Sequence, residues 1–235
     1  MTSTQVIETL ILEPENTPLQ QTKYKKSVKP ASDNMFKPGK NNKKLGNKIT
    51  IGMWKGMSLY SLTLEERSTC PSHCEQWDSC YGNNMPFAYR YDHTDPLFYT
   101  KLADQLASLS MKHESGFVIR LHVLGDFFSK KYIHFWRTQL FNLKNLRIYG
   151  YTHCRSDSDL GAAIYSLNNV YKERCRVRFS DDPKTYFSTS VVEKSKQNSG
   201  RHEIVCPEQL SAVSSCSDCG ICWESTQKHV VFYAH

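Results

Sequence analysis

The stretch Phe117-Val118-Ile119-Arg120-Leu121-His122-Val123-Leu124, followed at once by Gly125-Asp126, decides how this chain is expected to fold. It is rich in branched aliphatic residues and alternates in character, which predicts a strand ending in a turn. Phe117, Ile119, Leu121 and Val123 would face helices, leaving Val118, Arg120 and His122 on the other face. The same alternation sets Arg176, Arg178 and Ser180 against Val177 and Phe179, and Tyr149 and Tyr151 against Ile148. Strands covered by helices on both faces normally read as unbroken apolar runs. A half-polar second face therefore predicts a barrel whose interior is a basic, polar cavity, and an antiparallel sheet with one wet face is the alternative.

Working outward, further strands are predicted at Ile49 to Met53, Leu146 to Thr152, Cys175 to Phe179, His202 to Val205 and His229 to Tyr233. Helices are predicted between several of them. Asp95 and Pro96 suit a helix start, after which Phe98, Leu102, Leu106 and Leu109 share one face. Ser129 can cap a helix burying Ile133, Trp136 and Leu140, and Asp157 or Ser158 one burying Leu160, Ile164 and Leu167. Strand alternating with helix implies a parallel sheet, either a (β/α) barrel or an open doubly wound sheet. Cys70, Gly125 with Asp126, His153, Asp181 with Asp182, and Cys206 with Pro207 all follow candidate strands. In parallel sheets these carboxyl ends form the active face, so the residues are expected to converge.

The chain of 235 residues carries a formal charge of +7 and a mean hydropathy of −0.55. Residues 1–48 contain nine lysines against Glu8, Glu13, Glu15 and Asp33. With Pro18, Pro30, Pro38, Gly39 and Gly46 in the same region, this reads as a disordered basic tail, able to touch nucleic acid through phosphates. The domain boundary is placed near Lys48, with residues 49–235 forming a single domain and a cysteine-rich C-terminal extension. No apolar run approaches the roughly 20 residues of a membrane span, and no signal peptide is expected. Nine cysteines at close spacings fit metal-bound thiolates in a reducing cytoplasm better than a secreted disulfide framework.

Seven of those cysteines form two groups. Cys70-Pro-Ser-His-Cys74 and then Cys80 supply three thiols, which leaves a metal coordination position open, as a reactive site needs. His73 is a possible fourth ligand. Cys206, Cys216, Cys219 and Cys222 supply four thiolates, enough to close a site, and Gly220 permits the tight loop. The compact C-x2-C-x2-C favours iron–sulfur, with zinc as the alternative. Cys154 and Cys175 read as small buried hydrophobes.

The run Leu62 to Pro71, the segment Cys80-Tyr-Gly-Asn-Asn-Met85, Arg120 to Ser129, and Val205-Cys-Pro-Glu-Gln209 through Cys222-Trp223 resemble the phage and prophage family called gene product 88, from about Leu45 to His235. More remotely, a cysteine triple after the first strand of a partial (β/α)6 barrel is similar to the radical S-adenosylmethionine superfamily. The spacing here is C-x3-C-x5-C rather than that superfamily's usual C-x3-C-x2-C. This second resemblance implies a TIM-type partial barrel in which Cys70, Cys74 and Cys80 hold a [4Fe-4S] cluster that binds S-adenosylmethionine. Gly125 and Asp126 would contact that cofactor, and Cys206, Cys216, Cys219 and Cys222 would hold an auxiliary cluster. Asp126 is then the candidate catalytic carboxylate. Arg120, His122, Arg176 and Arg178 are candidates for binding an anionic substrate. The rival reading is a non-catalytic zinc or iron–sulfur protein that binds nucleic acid or senses redox state.

Overall fold

The computed structural model describes residues 21–182, 184–185, 187–194, 203–224 and 228–234. Its strands are β1 (Val28–Lys29), β2 (Lys37–Pro38), β3 (Ser58–Leu62), β4 (Arg90–Tyr91), β5 (Phe117–Leu121), β6 (Leu146–Thr152), β7 (Cys175–Ser180), β8 (Ser188–Val192), β9 (Glu203–Val205) and β10 (His229–Tyr233). The α-helices are α1 (Glu66–Thr69), α2 (Phe98–Lys112), α3 (Lys130–Asn142), α4 (Asp159–Val170), α5 (Cys216–Cys219) and α6 (Ile221–Glu224). Eight strands form one sheet in the order β2-β3-β5-β6-β7-β8-β10-β9, and β1 pairs with β4 separately. Only β2 runs antiparallel to its neighbour, so the expectation of an α/β protein with a mostly parallel sheet holds and the antiparallel alternative falls.

The three long helices form where apolar spacing and capping chemistry coincide. Ser129 caps α3 by accepting from the Tyr132 amide at 3.1 Å, and Ser158 caps α4 from Gly161 at 3.1 Å. The start of α2 has no side-chain cap. Asp95 instead receives the Leu97 amide on one oxygen and the distant Ala31 amide on the other. Phe98, Leu102, Leu106, Trp136, Leu140, Ile164 and Leu167 are buried together against Phe117, Ile119, Leu121, Ile148 and Val177. All three helices thus cover one face of the sheet. Each large buried apolar group there is worth about 2–5 kcal/mol on truncation to alanine.

The opposite face differs from the expected open interior. Leu59, Val118 and Tyr149 are packed under Leu45, Ile49, Trp54, Met57 and Trp223, so much of this face is an apolar contact with segments from both ends of the chain. Residues 21–48, expected as tail, belong to the fold: Met35, Phe36 and Leu45 are buried, and β2 extends the sheet. Residues 1–20 lie outside the described residues. The predicted strand at Ile49 to Met53 is a turn, in which Gly52 and Gly56 take φ of +69° and +90° and the Gly56 amide bonds the Ile49 carbonyl at 2.8 Å. The first central strand is Ser58–Leu62 instead, and β8 was also unforeseen because serines and threonines interrupt both apolar patterns. The predicted strand from His202 begins at Glu203, with His202 outside the described residues. Among the described residues, no helix is long and apolar enough to cross a membrane.

Candidate functional site

Chain leaving β3 enters the single turn α1 and then a series of tight turns that carries the first cysteine group. The Cys70 amide bonds Glu66 O at 3.0 Å, Cys74 bonds Pro71 O at 3.0 Å, and Trp77 bonds Cys74 O at 2.9 Å. A turn-rich loop has little apolar surface of its own, so other groups must hold it. The chief one is a buried ion pair that the sequence reading missed. Arg90 Nε donates to Glu66 Oε2 at 2.7 Å, and its remaining donors reach the Gly82, Met85 and Ala88 carbonyls and Ser27 Oγ at 2.9–3.0 Å. Arg67 stacks 4.5 Å over Trp77 and donates to Asn83. At Gly82 an added Cβ would come within 3.3 Å of Cys80 Sγ and 3.2 Å of Glu66 Oε1, so the glycine permits this close packing.

Cys70, Cys74 and Cys80 come within electrostatic range of one another and of Glu66. Burial, then the Asp126 carboxylate and the other two thiols, push Cys70 well above the ordinary thiol range. Asp126 itself is 2% exposed. Its Oδ1 accepts from the Phe127 amide and its Oδ2 from the His153 amide, both at 2.7 Å, tying the exit of β5 to that of β6. Burial raises its pKa, and His153 and these amides oppose the rise. Gly125 has φ +90°, and a Cβ there would meet Leu64 Cβ at 2.6 Å and Thr69 Oγ1 at 2.7 Å. His153 Nε2 lies 3.6 Å from Asp181 Oδ2, an ion-pair rather than a hydrogen-bond distance. Burial works against charge on His153, yet Asp181 and the Cys74 sulfur outweigh it and push its pKa up to about 10. Cys70, Asp126, His153 and Asp181 therefore share one rim with Cys74 and Cys80, as expected of residues that follow strands, whereas Cys206, expected with them, stands with the second group. Asp182 is a brace, accepting the Ser156 amide at 2.7 Å, and His73 meets the His153 carbonyl at 3.1 Å.

The second group is assembled from more distant pieces. Cys206 leaves β9 with its amide on the Val231 carbonyl at 2.8 Å. Cys216 and Cys219 stand on α5 and Cys222 on α6, separated by Gly220 in the left-handed conformation at φ +69°. The segment expected as tail clamps this loop, since the Cys216 amide bonds Lys44 O at 2.8 Å and Ser217 bonds Leu45 O at 3.0 Å, and beyond that segment the Met53 amide reaches Glu224 at 2.6 Å. Cys206, Cys216, Cys219 and Cys222 fall in one electrostatic neighbourhood. Burial first, then neighbouring thiols, push Cys216 up to about 12.

Three of the proposed anion-binding residues have other partners. Arg178 donates to the carbonyls of Cys222, Ser188, Lys228 and Ile221 at 2.8–3.3 Å, and Arg176 to that of Trp223 at 3.0 Å. Both hold the C-terminal cysteine loop onto β7, and a guanidinium engaged by four carbonyls has little left for a substrate. His122 turns to the helical side, with Nε2 2.8 Å from Tyr132 Oη and its ring against Phe127. The strand alternation ends at Leu121, and Val123 joins the opposite apolar group in its place. Cys154 and Cys175 are buried, with their sulfurs against the Phe127 carbonyl and Asn168 Oδ1.

Arg120 remains on the face opposite the helices, in register with Ser61 and Tyr149 and 5.7 Å over the Tyr151 ring. Arg120 Nε and Tyr149 Oη are both buried without a hydrogen-bond partner. Buried donors of this kind require an acceptor, and both lie in the electrostatic neighbourhood of Cys216. Among the described residues no group of three His, Cys, Asp or Glu is arranged to hold a metal ion. By donor chemistry alone, four thiols gathered from two segments are a set of the kind that holds an iron–sulfur cluster or zinc. No family model, curated protein or solved structure matches the chain, so the two thiol groups and the side chains around them are the basis on which its chemistry is read.

Proposed function

We propose that the chain is an iron–sulfur enzyme of radical S-adenosylmethionine type, with an open cluster on Cys70, Cys74 and Cys80 and a closed auxiliary cluster on Cys206, Cys216, Cys219 and Cys222. The observation that carries this reading is the gathering of three thiols behind the first central parallel strand and four behind the last ones. The strand sequence β3-β5-β6-β7-β8-β10, with α2, α3 and α4 on one face, supports the winding of a partial (β/α)6 barrel. A cluster held by Cys70, Cys74 and Cys80 would, when reduced and with an open iron, supply the electron for cleaving a carbon–sulfur bond of S-adenosylmethionine. The chain's own residues do the rest. Glu66 and Arg90 fix the loop, Gly125 lets the turn after β5 approach α1, and buried Asp126 holds the neighbouring strand exits together. Protein purified without oxygen should contain about eight irons per chain for two cubane clusters. It should also release 5'-deoxyadenosine after reduction. Zinc alone, or a full reducible cluster without that product, overturns the enzyme reading.

One observation favours the rival, nucleic-acid-binding reading. Lys29 and Lys37 stand 5.4 and 6.0 Å over Tyr89, and neighbouring Phe87 is 92% exposed, an arrangement of cations and stacking faces suited to single strands. Salt-sensitive binding of a single-stranded oligonucleotide, weakened by Phe87→Ala with Tyr89→Ala, would support it. Binding unaffected by that pair would sink it.

A further inference from the structure

We infer that Arg120, Tyr149 and Tyr151 form a donor wall that holds up the reduction potential of the cluster on Cys206, Cys216, Cys219 and Cys222, making it an electron carrier rather than a structural staple. The inference rests on the cluster reading above. Its geometry comes from two adjacent strands. Arg120 on β5 is paired in register with Tyr149 on β6, and Tyr151 lies two residues further along the same face. Tyr151 Oη donates to Cys222 Sγ at 2.8 Å. Tyr149 packs its ring 4.8 Å from that of Trp223, the residue after Cys222, and is itself 1% exposed. Its hydroxyl, Arg120 Nε and Trp223 Nε1 are buried donors on this face that find no acceptor among the described residues.

Orphaned donors of this kind are costly unless something electron-rich faces them. The nearest electron-rich candidates are the sulfurs of the second cysteine group, Cys216 being an electrostatic neighbour of Arg120 and Tyr149. A closed four-thiolate site meant only to staple the fold would be served by apolar surroundings, as Trp54 and Trp223 provide on one side. A guanidinium and two phenols serve a different purpose. Reduction adds one electron and forms or breaks no bond, so donors and positive charge aimed at the sulfurs favour the reduced state. Cys70, Cys74 and Cys80 are differently placed, next to the Asp126 and Glu66 carboxylates, which favour the oxidised state.

The test uses the full chain carrying Cys70→Ala, Cys74→Ala and Cys80→Ala, so that only the second cluster remains. It is prepared without oxygen and titrated with dithionite under paramagnetic-resonance detection, with iron and sulfide measured. Tyr149→Phe and Arg120→Met should retain iron and shift the midpoint to lower potential, the double variant furthest. Unchanged midpoints with iron intact overturn the inference. A parent protein without iron overturns the cluster reading itself, which is a separate failure. Should either variant fail to fold, Tyr151→Phe removes one hydroxyl facing Cys222 and carries the same expectation.

Discussion

The Glu66–Arg90 pair is buried, with Arg90 also gripping Ser27 and three carbonyls and Glu66 accepting from Thr22 Oγ1, and its loss is the most damaging single change expected near the first cysteine group. Arg90→Met leaves the Glu66 carboxylate buried and unpaired, and should destabilise the protein by about 3–5 kcal/mol in denaturant titration. Adding Glu66→Gln should restore part of that. A single loss no larger than an exposed ion pair's would contradict the assignment. His122 makes a second prediction at this scale. Burial first, and then Arg120, lower its pKa to about 3. The unfolded chain takes up this proton near pH 6.5, so between the two values the unfolded state binds more protons. The associated stability is present above pH 6.5 and is lost as pH falls toward 3. Between pH 7 and 5 the loss should be about 2 kcal/mol, and His122→Gln should flatten that part of the stability–pH curve. An equally steep curve in the variant would remove His122 as its cause. Of these residues, the sequence pointed to His122 but on the wrong face. Glu66 and Arg90 were unreadable because 24 positions of irregular chain separate them.

At the scale of elements, periodicity was a good guide where a helix or strand is covered by apolar neighbours. The limits of β6 and β10, and the caps of α3 and α4, follow from the sequence for that reason. It failed where polar side chains are satisfied across strands. In β8, Ser188 and Ser190 meet the His229 ring at 2.7 and 2.8 Å and Thr189 bonds Ser180 at 3.2 Å, so a strand forms without an apolar pattern. The segment around Leu45 was misread on composition: its lysines point to solvent contact, yet its backbone and a few apolar residues do the packing. Leu45→Ala should lower stability by about 2–5 kcal/mol. It should also speed alkylation of Cys216, whose amide bonds the adjacent Lys44 carbonyl. Unchanged thiol reactivity despite the lost stability would show that this segment does not hold the cysteine loop.

Across the whole molecule, the proposed clusters carry the expectation that folding and metal binding are coupled. Both cysteine groups hold buried thiols pushed upward by burial and by one another, a load that a bound metal centre relieves by taking thiolates. Stripping iron with a chelator should therefore lower Tm, and reconstitution should restore it. Equal melting of stripped and loaded protein would count against both clusters. Composition and spacing in the sequence determined the α/β class, the main helices, the division of seven cysteines into three and four, and the placing of Asp126 beside the first group. These are local or periodic properties, written in consecutive residues. Only the tertiary structure decided that Arg176 and Arg178 grip carbonyls, that residues 21–48 cover the sheet and clamp the second cysteine loop, and that Arg120 Nε and Tyr149 Oη are buried without a hydrogen-bond partner. Those outcomes depend on which side chains meet across β5, β6, β7 and the two chain ends, and nothing in neighbouring residues encodes such long-range partnerships.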